Sequence, residues 1–155
     1  WRAAFGFGFI FLFGFRRFRR WRLGGLHLVD DMLAMRTIIE KGLKDLGFLN
    51  VTHATDGLTA FKLIQKAIEE EQPFEFIISD WNMPMMGGLD LLLKVRQLET
   101  NKDVPFLMIT AEAHPKNEDK AIKAGVSNFI VKPFTKQIFK EKIDSIFLKK
   151  ELDAS

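Results

Sequence analysis

Phe76-Ile77-Ile78-Ser79 runs into Asp80, and three other short apolar runs also end on chemically competent side chains. Leu26–Val29 leads into Asp30 and Asp31, Pro105–Ile109 into Thr110, and Phe129–Val131 into Lys132. If these runs are parallel strands, three carboxylates, a hydroxyl and an ammonium emerge at one edge of a sheet. Open α/β folds place their sites at that edge. Clustered carboxylates repel: two of them about 4 Å apart cost roughly 4 kcal/mol at an effective dielectric of about 20. A fold that gathers three there needs a bound cation, a raised pKa, or both. The pattern points to metal-assisted chemistry on a carboxylate.

The stretches between the runs read as helices, so the chain alternates strand and helix from Leu26 onward. Met32–Leu46 carries Met35, Ile38, Ile39, Leu43 and Leu46 on one helical face, and Gly47 is placed to end it. Val51–Ala54 reads as a strand and Gly57–Glu71 as a helix closing on Glu69, Glu70 and Glu71. Phe74–Ser79 is the third strand, and the loop Trp81–Gly88 holds the turn formers Pro84, Gly87 and Gly88. Leu89–Leu98 follows as a helix, Pro105–Ile109 as a strand, and Pro115–Ala124 as a helix stopped by Gly125. Asn128–Val131 is the last strand. Thr135–Lys149 is an amphipathic closing helix with Ile138, Phe139, Ile143, Ile146 and Phe147. The fold class is α/β.

Composition excludes several chemistries. With 155 residues the chain suits one domain with a real core, and 47% hydrophobic with 28% charged residues is ordinary for a globular protein. No cysteine is present, which removes disulfides, thiolate catalysis and cysteine-held metals. The net charge of +3 is misleading, because residues 1–25 contain six arginines and no acid; without them residues 26–155 carry −3. That shift divides an atypical Phe/Arg/Gly-rich tail, 1–25, from a domain at 26–150 and a short tail at 151–155.

The motifs name a family. Leu26–Phe147 resembles the receiver domains of two-component response regulators, nearest the CheY-type chemotaxis receivers. The resemblance rests on Val29-Asp30-Asp31, on SDWNMP at 79–84, on MITAEA at 108–113 and on KAGVSNFIVKPFT at 123–135. An acidic pair after a strand is commonplace alone; the ordered set DD, D, T and KP is specific. The resemblance implies a doubly wound, five-stranded parallel sheet in 2-1-3-4-5 order, flanked by five helices. It also implies roles. Asp80 would be the phosphoryl acceptor, and Asp31, Asp80 and the Asn82 backbone carbonyl would hold Mg²⁺, with Asp30 acting through water. Lys132 would pair with the carboxylate and then with a phosphoryl oxygen, and Thr110 would swing its hydroxyl toward the phosphoryl group. A cis Lys132–Pro133 bond is implied as well. Asn82 and Glu112 would tune the phosphorylated lifetime towards fast self-dephosphorylation, and Phe129 would be the aromatic switch. Gly87 stands where such chains often carry Asp or Asn, which implies a looser loop.

Each residue has a plainer competing role. Asp30 could cap the next helix, Asp80 could start an Asx turn, and Thr110 could be an ordinary strand-end hydroxyl. His27, His53 and His114 lack ligand spacing and read as structural or exposed. His27 in a buried strand requires a hydrogen-bond partner. Glu69–Glu71 reads as a solvated helix end, and Met83, Met85 and Met86 as packing around the loop.

The tail fits none of this. Phenylalanine occupies every odd position from Phe5 to Phe15, and arginines cluster at 16–22. Ala3–Phe15 is uncharged for 13 residues, short of the roughly 20 a spanning helix needs. Three readings are open: the end of a membrane segment, a surface-binding aromatic–basic tail, or an upstream or misframed translation replacing the start of the first strand. The last is preferred, because simple alternation of this kind matches no packed element.

Three functions are consistent with this reading. The first is a stand-alone, cytoplasmic receiver, phosphorylated by a sensor histidine kinase of the CheA type. It would switch binding to a flagellar motor switch protein through Glu112, Phe129, Pro133 and the closing helix, with no specific nucleic-acid partner and no enzymatic output. The second is a phosphorelay intermediate or phosphate sink. The third is a haloacid-dehalogenase-type phosphohydrolase, against which the adjacency of Asp30 and Asp31 counts. Membrane contact would come only through residues 1–25.

Overall fold

The computed structural model describes residues 24–155, so the readings made for the tail fall, but for Gly24 and Gly25, outside the described residues. Five strands form one parallel sheet: β1 (Leu26–Val29), β2 (Val51–Ala54), β3 (Phe76–Asp80), β4 (Phe106–Thr110) and β5 (Asn128–Val131). Their order is β2-β1-β3-β4-β5, the expected doubly wound arrangement. Register follows from the pairs Leu26↔Val51, Leu26↔Phe76, Ile77↔Phe106 and Leu107↔Asn128.

Helices cover both faces among the described residues: α1 (Leu33–Asp45), α2 (Gly57–Glu69), α3 (Gly88–Arg96), α4 (Pro115–Lys123) and α5 (Lys136–Asp153). Strand side chains alternate between two cores, as the period of two requires. Leu26, Leu28, Phe76, Ile78, Leu107 and Ile109 meet Ile39 and Leu43 of α1 and Phe139, Ile143 and Phe147 of α5. Val29, Ile77, Phe106 and Met108 meet Ala60 and Ile64 of α2 and Leu91, Leu92 and Val95 of α3. Central strands covered on both faces read as nearly continuous apolar runs, which is why they stood out in the sequence.

Several boundaries move. β3 starts at Phe76 rather than Phe74 and runs through Asp80, because Asp80 pairs in register with Ile109. β4 likewise includes Thr110. α2 ends at Glu69, with Glu70 as its cap and Glu71 in the left-handed region at φ 58°, so the acidic run is a helix stop more than a helix end. α5 continues to Asp153 and takes in most of the segment assigned to a C-terminal tail, since nothing from Lys150 to Asp153 interrupts a helix. Ile38 and Ile138, expected on buried faces, are 58% and 42% exposed. No described helix is long and apolar enough to cross a membrane.

Candidate functional site

The carboxyl ends of β1, β3, β4 and β5 bring Asp30, Asp80, Thr110 and Lys132 to one edge. Asp30 is buried, and its two oxygens have different tasks. Oδ1 accepts the Met32 backbone N–H at 2.8 Å, while Oδ2 accepts from Lys132 Nζ at 3.1 Å. The expected capping role is not seen: Met32 is the N-cap of α1 and carries no side-chain cap bond, while Asp30, two residues earlier, closes a local turn with Oδ1 and meets Lys132 with Oδ2. Arg36, one turn into α1, donates to the Asp30 carbonyl at 2.7 Å and fastens the β1–α1 loop to its helix. Asp31, next in the chain, is exposed.

Lys132 is the hinge of the electrostatics. Its ammonium also donates to Asp80 Oδ1 at 2.8 Å, so one cation sits between two carboxylates that would otherwise repel. Burial raises the Asp80 carboxyl above the ordinary aspartate range; Lys132 opposes that rise and the Asp30 charge adds to it. Burial works against the charged form of Lys132, but hydrogen bonds and charges from Asp80 and Asp30 outweigh it and hold its pKa above the usual lysine value. The Lys132–Pro133 peptide is cis, as the motif implies, and Pro133 is exposed.

Thr110 is buried, but its hydroxyl is engaged elsewhere: Oγ1 accepts the backbone N–H of Glu112 at 3.0 Å. The Glu112 carboxylate is in turn held by Asn82, whose Nδ2 donates at 2.9 Å, and by Asn117 of α4 at 3.2 Å. Glu112, Asn82 and Asn117 line a cleft of about 580 Å³ with Asp31, Trp81 and Lys120. Phe129 meets Trp81 edge-on, ring centroids 6.4 Å apart, and is half-buried against the second core.

The loop after Asp80 is shaped by close approach. A β-carbon on Gly88 would lie 2.1 Å from the Asp80 carbonyl oxygen, so α3 begins tight against the site only because residue 88 is glycine. Met83 and Met86 pack against the core as expected. Met85 does not: it is 81% exposed with φ at 65°.

The histidines stay outside this edge. His53 pairs with Glu40, and His114 Nδ1 accepts the Lys116 N–H at the start of α4. His27 is buried, bonded through Nδ1 to the Thr52 carbonyl at 3.0 Å and stacked on Phe74, while its Nε2 has no partner. Burial pushes its pKa down to about 4.

Oxygen donors at this edge suit a hard cation. Among the described residues no three acidic or imidazole side chains close into a ready-made cage. Arg36 and Asn117 were not anticipated. Both are polar helix residues, and their partners, the Asp30 carbonyl and Glu112, lie in other segments.

Comparison with known proteins agrees with the geometry. The response regulator receiver domain model matches residues 26–144. Chemotaxis protein CheY-3 of Vibrio cholerae is 48% identical over 120 residues, 77% of this chain and 88% of that protein. Chemotaxis protein CheY of Pseudomonas aeruginosa is also 48% identical over 120 residues, 77% of this chain and 93% of that protein. Among solved structures, CheY4 of Vibrio cholerae superposes with a TM-score of 0.70 at 32% identity, covering 79% of this chain and 98% of its own. A CheY-like receiver from Methanospirillum hungatei gives 0.72 at 25% identity, covering 84% and 98%. Strand order, strand-end residues and relatives converge: the chain belongs to the response regulator receiver domain family of two-component signalling, among its CheY-type chemotaxis members.

Proposed function

We propose that Asp80 accepts a phosphoryl group from a phosphohistidine of a sensor histidine kinase, with Mg²⁺ bound beside it. The observation that carries this reading is the Lys132 ammonium held between Asp30 and Asp80 at 3.1 and 2.8 Å, with Thr110 on the neighbouring strand end. An Asp80 carboxylate oxygen attacks phosphorus as the bond to the donor nitrogen breaks. Lys132 shifts from the carboxylate toward a phosphoryl oxygen and neutralises part of its charge. Thr110 leaves the Glu112 N–H and donates its hydroxyl to another phosphoryl oxygen. Asp31, Asp80 and the Asn82 carbonyl would hold the metal, with Asp30 acting through water. When bound, Mg²⁺ offsets carboxylate repulsion and the charge on the transferring group.

The movement of Thr110 leaves space behind it for the half-buried Phe129, and the surface from Glu112 through Phe129 and Pro133 to α5 changes. A CheA-like kinase as donor and a flagellar motor switch protein as target fit the chemotaxis relatives, and a cytoplasmic place follows from that pairing. The self-catalysed chemistry would be signalling chemistry, without turnover of an outside substrate. Asn82 and Glu112 would set the lifetime of the phosphorylated form.

Incubation with acetyl phosphate and Mg²⁺, read by intact mass, tests this. Wild type should gain a labile adduct of about 80 Da, and Asp80→Asn should not. An adduct that persists in Asp80→Asn would remove the acceptor role, and turnover of generic phosphate esters would favour a phosphohydrolase.

A further inference from the structure

Glu112 is tied at three points, and only one of them comes from a helix. Asn82 Nδ2 reaches one carboxylate oxygen at 2.9 Å, Asn117 Nδ2 reaches the other at 3.2 Å, and the Glu112 N–H holds Thr110 Oγ1 at 3.0 Å. Asn117 lies in the first turn of α4, so it connects that helix to the residue on which the Thr110 hydroxyl rests. Helix capping does not account for it. An N-cap side chain accepts from backbone N–H groups, and here His114 already fills that place by accepting from the Lys116 N–H, followed by Pro115 at the helix start. The Asn117 amide donates instead, and to a side chain five residues earlier.

We infer that Asn117 is a positioning residue for phosphotransfer. It holds Glu112, and through it the Thr110 hydroxyl, in the arrangement of the unphosphorylated protein. The inference rests on the phosphoacceptor reading of Asp80 and deepens it: the start of α4 sets how readily Thr110 leaves Glu112 for a phosphoryl oxygen. Without the Asn117 tether, Glu112 is held on one side only, and the bond between its N–H and Thr110 breaks more easily. Both amide–carboxylate contacts are exposed, so the effect is moderate.

The test measures the rate of Asp80 phosphorylation by acetyl phosphate with Mg²⁺ in wild type, Asn117→Ala, Glu112→Ala and the double variant. Asn117→Ala should raise the rate about two- to five-fold, the range expected for one exposed hydrogen bond. In the Glu112→Ala background the same change should do nothing, because the residue acts through Glu112. Asn117→Gln, which keeps the amide donor, should return the rate toward wild type. Asn117→Asp, which sets like charges together, should exceed Asn117→Ala. Equal effects of Asn117→Ala with and without Glu112, or no effect at all, would overturn the positioning role while leaving Asp80 as acceptor. A wild-type protein that takes no label overturns both.

Discussion

Gly88 presses so closely on Asp80 that a β-carbon there would meet the Asp80 carbonyl oxygen at 2.1 Å and the Met108 sulfur at 2.8 Å. The first contact is with backbone at the end of a central strand, which has little room to yield. Gly88→Ala should therefore cost about 1–3 kcal/mol, as overpacking does in a close-packed interior. Urea denaturation of the two proteins measures it, and an unchanged midpoint would show that α3 can shift freely.

Lys132 stabilises two buried carboxylates at once. Lys132→Met leaves Asp30 and Asp80 facing each other with no compensating charge, and should destabilise the metal-free protein by about 3 kcal/mol at neutral pH. Asp80 already sits above the ordinary aspartate range through burial, so the variant should recover stability relative to wild type as falling pH protonates that carboxyl. Added Mg²⁺ should recover part of the loss at neutral pH. Melting curves with and without the metal, at two pH values, test both statements.

His27 gives the fold an acid sensitivity of its own. Its pKa is about 4 in the folded chain against 6.5 for the unperturbed group, so unfolding takes up a proton in between. The contribution is fully present above about pH 6.5 and is lost as the pH falls through about 4, amounting to about 3 kcal/mol. His27→Leu loses the Nδ1 bond to the Thr52 carbonyl, but should flatten the difference over that window, so that its stability relative to wild type improves as the pH falls from 6.5 to 4. A wild type and variant whose stabilities fall in parallel between pH 6.5 and 4 would contradict this.

Arg96 fastens three segments. Its Nε and Nη2 donate to the Gly125 carbonyl at 3.0 and 2.8 Å, and Nη1 donates to the Lys102 and Val104 carbonyls at 2.8 and 2.9 Å. Arg96→Met keeps much of the stem but removes all four bonds; water can reach the exposed Gly125 and Lys102 carbonyls, the part-buried Val104 carbonyl less so, and the change should cost about 1–2 kcal/mol. Hydrogen exchange should show the loss concentrated at the α4–β5 turn and the loop before β4.

Strand-end residues were legible in the sequence because a buried parallel strand has a recognisable apolar run, and the residue that ends it takes its position from chain geometry alone. Asp30, Asp80, Thr110 and Lys132 were found this way. Ile38 and Ile138 were misplaced because helical periodicity marks a face without saying how far the neighbouring element extends over it. Arg36, Asn117 and Arg96 left no pattern: a polar residue on a helix looks the same whether it meets water or a carbonyl from another segment.

Alternating apolar runs and amphipathic stretches by themselves determined the α/β class and the edge at which the reactive groups gather, since hydrophobic burial acts on local periodicity. The adjacent aspartates, the lone aspartate, the threonine and the Lys-Pro pair also carried the family resemblance. Only the tertiary structure decided where those side chains point. Lys132 meets Asp30 across 102 residues of chain and Asp80 across 52, and chooses both. Thr110 rests on Glu112, which Asn82 holds from 30 residues away. Such choices depend on distances and charges between segments remote in sequence, and those exist only once the sheet has brought the segments together.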